Sequence, residues 1–437
     1  MSNRRFAVSL MMCSFLIGPA SSARAGARDG FKRLNGSFEG WEISEPQPPV
    51  AWDAPDMSAA VPGKMEAAKE WTVMVYMNGR NDLSRHVWRD INEMEQVGST
   101  PDINVVVEAG TIRRVPDALR MKPFPPEFPP PARMYITRDV DTGRVTSPLI
   151  QEVDADMGDW RHLADFVRWA KENYPSRRTM LIVWNHGSGW KTMSFTRAGI
   201  SEDNFTGHSI ATVELGSALA SAGGLNIYAS DACRMQAAEV AYEIRGSAGI
   251  IIGSEEKEPN EGQSYSAFLS ALAGDPRASD EAISRAYVRV FGDSYAPRIG
   301  VTQSAVRSAS LPGLAALLGE WTDAIMLADD REAVTFAKQN AKSFSDRDAK
   351  DLYDFVQITI GRAKSEKVRA KGENLLAYIR QDVVIENAAI TQDNQRAHGL
   401  SIYIPQYNDY LLDYDELAWS HDGKWDEFLR WVTSSWP

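Results

Sequence analysis

Residues 179–187 read TMLIVWNHG, an unbroken apolar run that ends in Asn185-His186-Gly187. A short run with no polar alternation predicts a strand buried on both faces, which is the environment of a parallel sheet. A second run of this kind, LNIYASDAC (225–233), ends in Cys233. WTVMVYM (71–77), INVVVEAG (103–110), RMYITRD (133–139) and GIIIGSEE (249–256) complete the strand candidates of this half. Stretches with helical spacing lie between them: 83–97, 160–173 (with Asp159 as N-cap), about 210–221 and 235–245. Strands alternating with helices predict an α/β fold with a mostly parallel sheet, whose ligands bind beyond the carboxyl ends of the strands. Residues 265–390 read as mainly helical. HGLSIYIP (398–405) gives one late strand, and WDEFLRWVTSSWP closes the chain with an apolar helical face.

His186 and Cys233 therefore emerge at one sheet edge, 47 residues apart in sequence. A free thiol is mostly protonated at neutral pH, and the thiolate is the nucleophile, so an imidazole in the same cleft supplies the base and later the acid. Gly187 lets backbone approach closely and aims an N–H at a developing oxyanion. The helix expected after Cys233 adds a dipole that favours the thiolate. The bland readings are a buried inert thiol and a core histidine. The remaining histidines lie in helical patterns (His86, His162), a polar loop (His208), before a strand (His398) or in a turn (His421).

The beginning of the chain sets the compartment. MSNRRFAVSLMMCSFLIGPASSARA carries Arg4 and Arg5, an apolar run from Phe6 to Ile17, and Ala23-Arg24-Ala25, the order of a secretory signal cleaved after Ala25. Large Met residues before Cys13 argue against a lipid anchor on that cysteine. Export places the mature chain in the periplasm or medium. Removing 1–25 takes away three arginines and no acids, so the formal charge moves from -12 to -15, which disfavours nucleic acid as a partner. No later segment reads as a membrane span. The leader also removes Cys13, so Cys233 has no partner for a disulfide within the mature chain. A redox sensor would need a resolving cysteine, and one cysteine with scattered histidines lacks zinc-ligand spacing. Residues 26–66 are rich in Pro, Ala and Ser and read as a linker or strap. FPPEFPPPAR (124–133) reads as a loop between strands.

LIVWNHGSGW (181–190) and YASDACRMQAAEVAYE (228–243) resemble the clostripain family of cysteine peptidases, grouped with caspases, legumains and gingipains. WTVMVYMNGRNDLSRHVWRDINEME (71–95), SEEKEPNEGQSYSAFLSAL (254–272) and AHGLSIYIP (397–405) extend the likeness over about 70–300, and more loosely over 300–437. The resemblance implies a caspase-like three-layer sandwich over 67–300, plus a mainly helical region over 301–437 that contributes the late strand. It implies His186 as base and acid, Cys233 as nucleophile, and the Gly187 and Cys233 amides as oxyanion hole. Asp231 becomes the acid of the primary specificity pocket, paired with Arg or Lys of a protein or peptide substrate. On its own, Asp231 reads as a turn or cap residue. Where the family often has Asp before His-Gly, this chain has Asn185. The family's self-cleavage between the His and Cys segments points to Lys191 and Arg197. No cofactor is required. Calcium, to which some members respond, has candidate carboxylates in DVDTG (139–143) and DADMGD (154–159), but neither assigns a site. A non-catalytic peptide-binding relative and a transpeptidase using the same pair remain open, as does the oligomeric state.

Overall fold

The computed structural model describes residues 68–112, 128–193, 197–407 and 410–434. All of them fall within one compact unit of the chain. The leader (1–25), the proline-rich 26–66 and residues 124–127 of the 124–133 loop lie outside the described residues.

Thirteen strands are described: β1 (Lys69–Asn78), β2 (Ile103–Gly110), β3 (Ala132–Tyr135), β4 (Leu149–Glu152), β5 (Ser176–Trp184), β6 (Gly187–Met193), β7 (Arg197–Ile200), β8 (Leu225–Asp231), β9 (Ala248–Gly253), β10 (Thr302–Arg307), β11 (Ala349–Asp351), β12 (Val384–Ala389) and β13 (Ser401–Tyr403). Nine form one sheet in the order β12-β10-β9-β8-β5-β1-β2-β3-β4. The five central strands, β9-β8-β5-β1-β2, run parallel. Both margins are antiparallel.

The doubly apolar strands have a direct cause. Along β1, Met74 and Tyr76 join one core, while Val73, Val75 and Met77 join the other. The same split separates Leu181 and Val183 from Met180 and Ile182 on β5. Successive side chains leave a strand on opposite faces, so helices on both sides demand apolar residues at every position. Helices Trp160–Asn173, Thr212–Ser221 and Leu311–Ala328 cover one face. Ser84–Glu95, Tyr265–Gly274 and Asp280–Tyr295 cover the other. Asp159 caps the first of these, accepting a hydrogen bond from the Arg161 N–H.

Several expectations change. Strands β10 and β12, read as helical from sequence, extend the main sheet on one side. The late strand is only Ser401–Tyr403, and it pairs with β11 in a separate two-stranded sheet. Between His186 and Cys233 the chain makes an unforeseen hairpin, β6–β7. The helix after Cys233 is Ala238–Ile244 and does not abut the thiol. Arg234 takes a φ of 60°, Gln236 N–H bonds the Ser254 carbonyl at 2.9 Å, and Ala237 bridges Ser401. The extended stretch thus separates the helix dipole from Cys233, and no N-terminal amides stabilise the thiolate. By length and composition alone, the helical stretch Ser308–Ala328 is long and apolar enough to cross a membrane. Half of it is buried, with Leu314, Leu318, Trp321 and Ile325 in the core, as in a central helix of a large domain.

Candidate active site

Strands β5 and β8 are parallel neighbours with Trp184 opposite Asp231. His186 and Cys233 each lie two residues further on, so register alone brings them to one edge, on strands whose axes lie about 4.8 Å apart. Asn185 N–H continues the ladder to the Asp231 carbonyl at 3.2 Å. Gly187 is explained by the same closeness. A Cβ there would stand 2.3 Å from the Cys233 carbonyl oxygen and 2.9 Å from Met235 Cγ. The backbone that Gly187 admits is that of the cysteine segment itself.

The imidazole side is densely bonded. Asn185 is buried and donates from Nδ2 to the Asn78 carbonyl, while its Oδ1 accepts the Glu202 N–H at 3.0 Å. It therefore ties the ends of β1 and β5 to the segment after β7, a bracing role for which an amide, donor and acceptor at once, suits better than an acid. The loop after β1 is anchored beside it. Arg80 forms a buried ion pair with Asp203 (3.4 Å) and bonds the Ala155 and Pro129 carbonyls. Asn81 Nδ2 donates to the Glu202 carbonyl at 2.9 Å, and its Oδ1 accepts the Leu83 N–H. Between them stands Asp82, with Oδ1 2.8 Å from His186 Nε2. Sequence reading missed Asp82. The available signal was its place just past the carboxyl end of a strand adjoining β5.

The thiol side differs. Cys233 Sγ accepts the Glu258 N–H at 3.3 Å and lies 3.9 Å from the Glu258 carbonyl. Burial pushes the thiol pKa up, only partly offset by the Glu258 N–H and the Arg234 and Lys257 charges. Asp231 is buried below it, accepting from Tyr265 Oη at 2.7 Å and from the Gln263 N–H at 3.2 Å. Gly262, at φ +59°, approaches so closely that a Cβ would lie 2.7 Å from Asp231 Oδ1. Burial raises the Asp231 pKa. It raises that of Glu258 well above the ordinary value, with the Asp231 and Cys233 charges adding to the effect. Two acids buried together in this way favour the protonated form, because each anion would face the other without water to screen it. Glu258 Oε2 is buried with no hydrogen-bond partner. Glu258 lay within a quoted stretch, but nothing in the sequence gave it a role.

Lys191 lies in β6 with Nζ 3.0 Å from Asp346 and 2.7 Å from Asp348, above the Tyr403 ring. Arg197 opens β7. Asp139 caps its own turn through the Val140 and Asp141 N–H groups, Asp156 bonds His208, and Asp159 caps a helix. Among the described residues no three His, Cys, Asp or Glu are grouped so as to hold a metal ion. Histidines away from the site are engaged elsewhere: His162 pairs with Glu108, and His398 packs on Tyr353.

A parallel five-strand centre with antiparallel margins, offering a thiol and an imidazole at adjacent strand ends, is the architecture of the caspase-like cysteine peptidases. The model of the clostripain family matches residues 75–436, and the chain belongs to that family and with it to the cysteine-type peptidases. Clostripain of Hathewaya histolytica is 26% identical over 194 residues, a match that covers 41% of this chain and 36% of clostripain, so it spans about a third of that relative's length. Among solved structures, a secreted C11 cysteine protease from Bacteroides thetaiotaomicron, in complex with an irreversible peptide inhibitor, superposes with a TM-score of 0.59 at 22% identity. An inactive zymogen C11 protease from Parabacteroides distasonis gives 0.60 at 21%. Each superposition covers 82% of this chain and 99% of the other, and at these identities they speak for the fold.

Proposed function

We propose that this chain is an exported cysteine endopeptidase that cleaves protein or peptide substrates after Arg or Lys. The observation that carries the reading is the Trp184–Asp231 register, which sets His186, Cys233 and a buried acid on neighbouring strand ends. In this reading His186 takes the thiol proton, and the thiolate attacks the scissile carbonyl. The developing oxyanion meets the Gly187 and Cys233 amides. The imidazolium gives its proton to the leaving amine, and water, activated by the same imidazole, releases the acyl group from sulfur. These side chains need no cofactor for the reaction.

The basic preference rests on the carboxyl pair. A guanidinium or ammonium reaching Asp231 and Glu258 offsets the repulsion between the two acids and donates to the unpartnered Glu258 oxygen, and such charge-assisted bonds are strong when buried. Glu258 and Gly262 move aside to admit it. Self-processing follows Arg197 rather than Lys191, whose ammonium is already held by two aspartates. Export agrees with the leader-like 1–25 and with a neighbour described as secreted.

The test is a panel of fluorogenic peptides ending in Arg, Lys, Asp or Asn, with and without iodoacetamide. Cleavage after Arg or Lys, abolished by alkylation and in Cys233→Ala, is expected. Cleavage only after Asp or Asn contradicts the Asp231 role, and no cleavage at all favours a binding function.

A further inference from the structure

We infer that Asp82 is the positioning residue that fixes the tautomer of His186, making Nδ1 the nitrogen that exchanges a proton with Cys233. The inference rests on the peptidase reading for its consequence, but its geometry is independent of any substrate. His186 Nε2 lies 2.8 Å from Asp82 Oδ1. An ionised carboxylate only accepts, so the proton shared between them belongs on Nε2. In the neutral ring the other nitrogen, Nδ1, then keeps the lone pair. Once the ring is protonated, the same carboxylate faces the new positive charge.

The mounting of Asp82 sets it apart from a chance surface contact. Its side chain is 72% exposed, yet both preceding residues are locked. Arg80 is fixed by the buried ion pair with Asp203, and Asn81 by the Glu202 carbonyl and the Leu83 N–H. Asn204 N–H also bonds the Arg80 carbonyl at 3.0 Å. The segment around Glu202 is in turn braced by Asn185, the neighbour of His186. Imidazole and carboxylate thus stand on one hydrogen-bonded frame, which holds their separation without burying the charge.

Two substitutions separate tautomer from charge. Asp82→Asn keeps an acceptor oxygen for Nε2–H and loses the charge, whereas Asp82→Ala loses both. In protein labelled with 15N-histidine, the His186 ring is expected to show a protonated Nε2 and an unprotonated Nδ1 in the parent and in Asp82→Asn. Averaged nitrogens are expected in Asp82→Ala. With an Arg-ending peptide, Asp82→Ala should lower kcat about ten-fold and leave KM within about two-fold, because an exposed pair orients the base without binding substrate. Near 1 M salt the smaller Asp82→Asn defect should shrink, and that of Asp82→Ala should persist. An unchanged tautomer in Asp82→Ala overturns the inference even if the enzyme is active. A tautomer change in a protein that cleaves no peptide sustains the assignment and instead counts against the proposed function. Equal melting temperatures for parent and variants show that the fold is not the cause.

Discussion

The two walls of the cleft are built on opposite plans. On the imidazole wall, the Asn78, Arg80, Asn81, Asn185 and Asp203 side chains are hydrogen-bonded and the Arg80 charge is paired with Asp203, with Arg80 Nε alone of these atoms buried and unpartnered. On the thiol wall, Asp231 and Glu258 crowd together with a raised proton affinity and an oxygen left unpartnered. The first wall is preorganised for chemistry. The second holds buried acid in close company, a costly arrangement that the proposed substrate cation would relieve. Rigidity and incompleteness are divided between the ends of adjacent strands.

The sharpest way to break this contrast is Asp231→Asn. Loss of one partner of a buried charge pair costs about 2–5 kcal/mol, so kcat/KM for an Arg-ending peptide should fall by about 30- to 5,000-fold. The same change should leave thermal stability equal or higher, since the acid pair is relieved. A matching peptide ending in citrulline should show little difference between parent and variant. Gly187→Ala tests the junction of the walls. Its Cβ meets the Cys233 carbonyl at 2.3 Å, and a displacement of about 1 Å between reacting groups costs about 10²-fold in kcat. Asn185→Ala should destabilise by about 1–3 kcal/mol in urea unfolding, through the unpaired Asn78 carbonyl and Glu202 N–H. An Asn185→Asp protein that matches the parent would show that acceptor geometry alone suffices there.

The smallest effect concerns the other end of the segment that covers the thiol. Asp351 is pushed up to about 7 by burial and by the Asp354 charge, against the Asp354 and His398 N–H groups and the Glu255 side chain, which pull it down. The folded state therefore keeps a proton that the unfolded chain releases near 3.8. This contribution is full below about pH 4 and is lost as pH rises to about 7. His86, lowered to about 4 by burial and by Arg89 and Arg85, contributes with the opposite sign. Asp351→Asn leaves the His86 contribution intact, so the difference in Tm between variant and parent isolates the Asp351–Glu255 acid pair. The variant should gain about 2 °C relative to the parent between pH 5 and pH 8.

The centre of the fold was legible because β1, β5 and β8 are apolar on both faces, and a pattern of that kind has few other readings. The margin was not. β10 reads Thr302-Gln303-Ser304-Ala305-Val306-Arg307, yet its first five residues are buried. Thr302 Oγ1, Gln303 Nε2 and the Ser304 carbonyl find partners in Ser254, Glu258 and Gln236, which no local pattern reveals. The helix after Cys233 began late because Met235 and Ala237 are buried in extended backbone, which imitates the start of a helical stripe. His186, Cys233 and Asp231 could be found because strand ends announce them. Glu258 could not, since it meets the thiol through a contact across more than 20 residues of chain, and for Asp82 the signal was no more than its place past the end of β1.

The most direct test of the central claim, that β5 and β8 deliver a working thiol–imidazole pair, is the site of covalent capture. The protein is treated with a peptidyl-arginine chloromethyl ketone and mapped by mass spectrometry. One label per chain is expected, on Cys233, slowed strongly in His186→Ala and in Asp231→Asn. A label on another residue, or labelling of Cys233 at the same rate without His186, would contradict it.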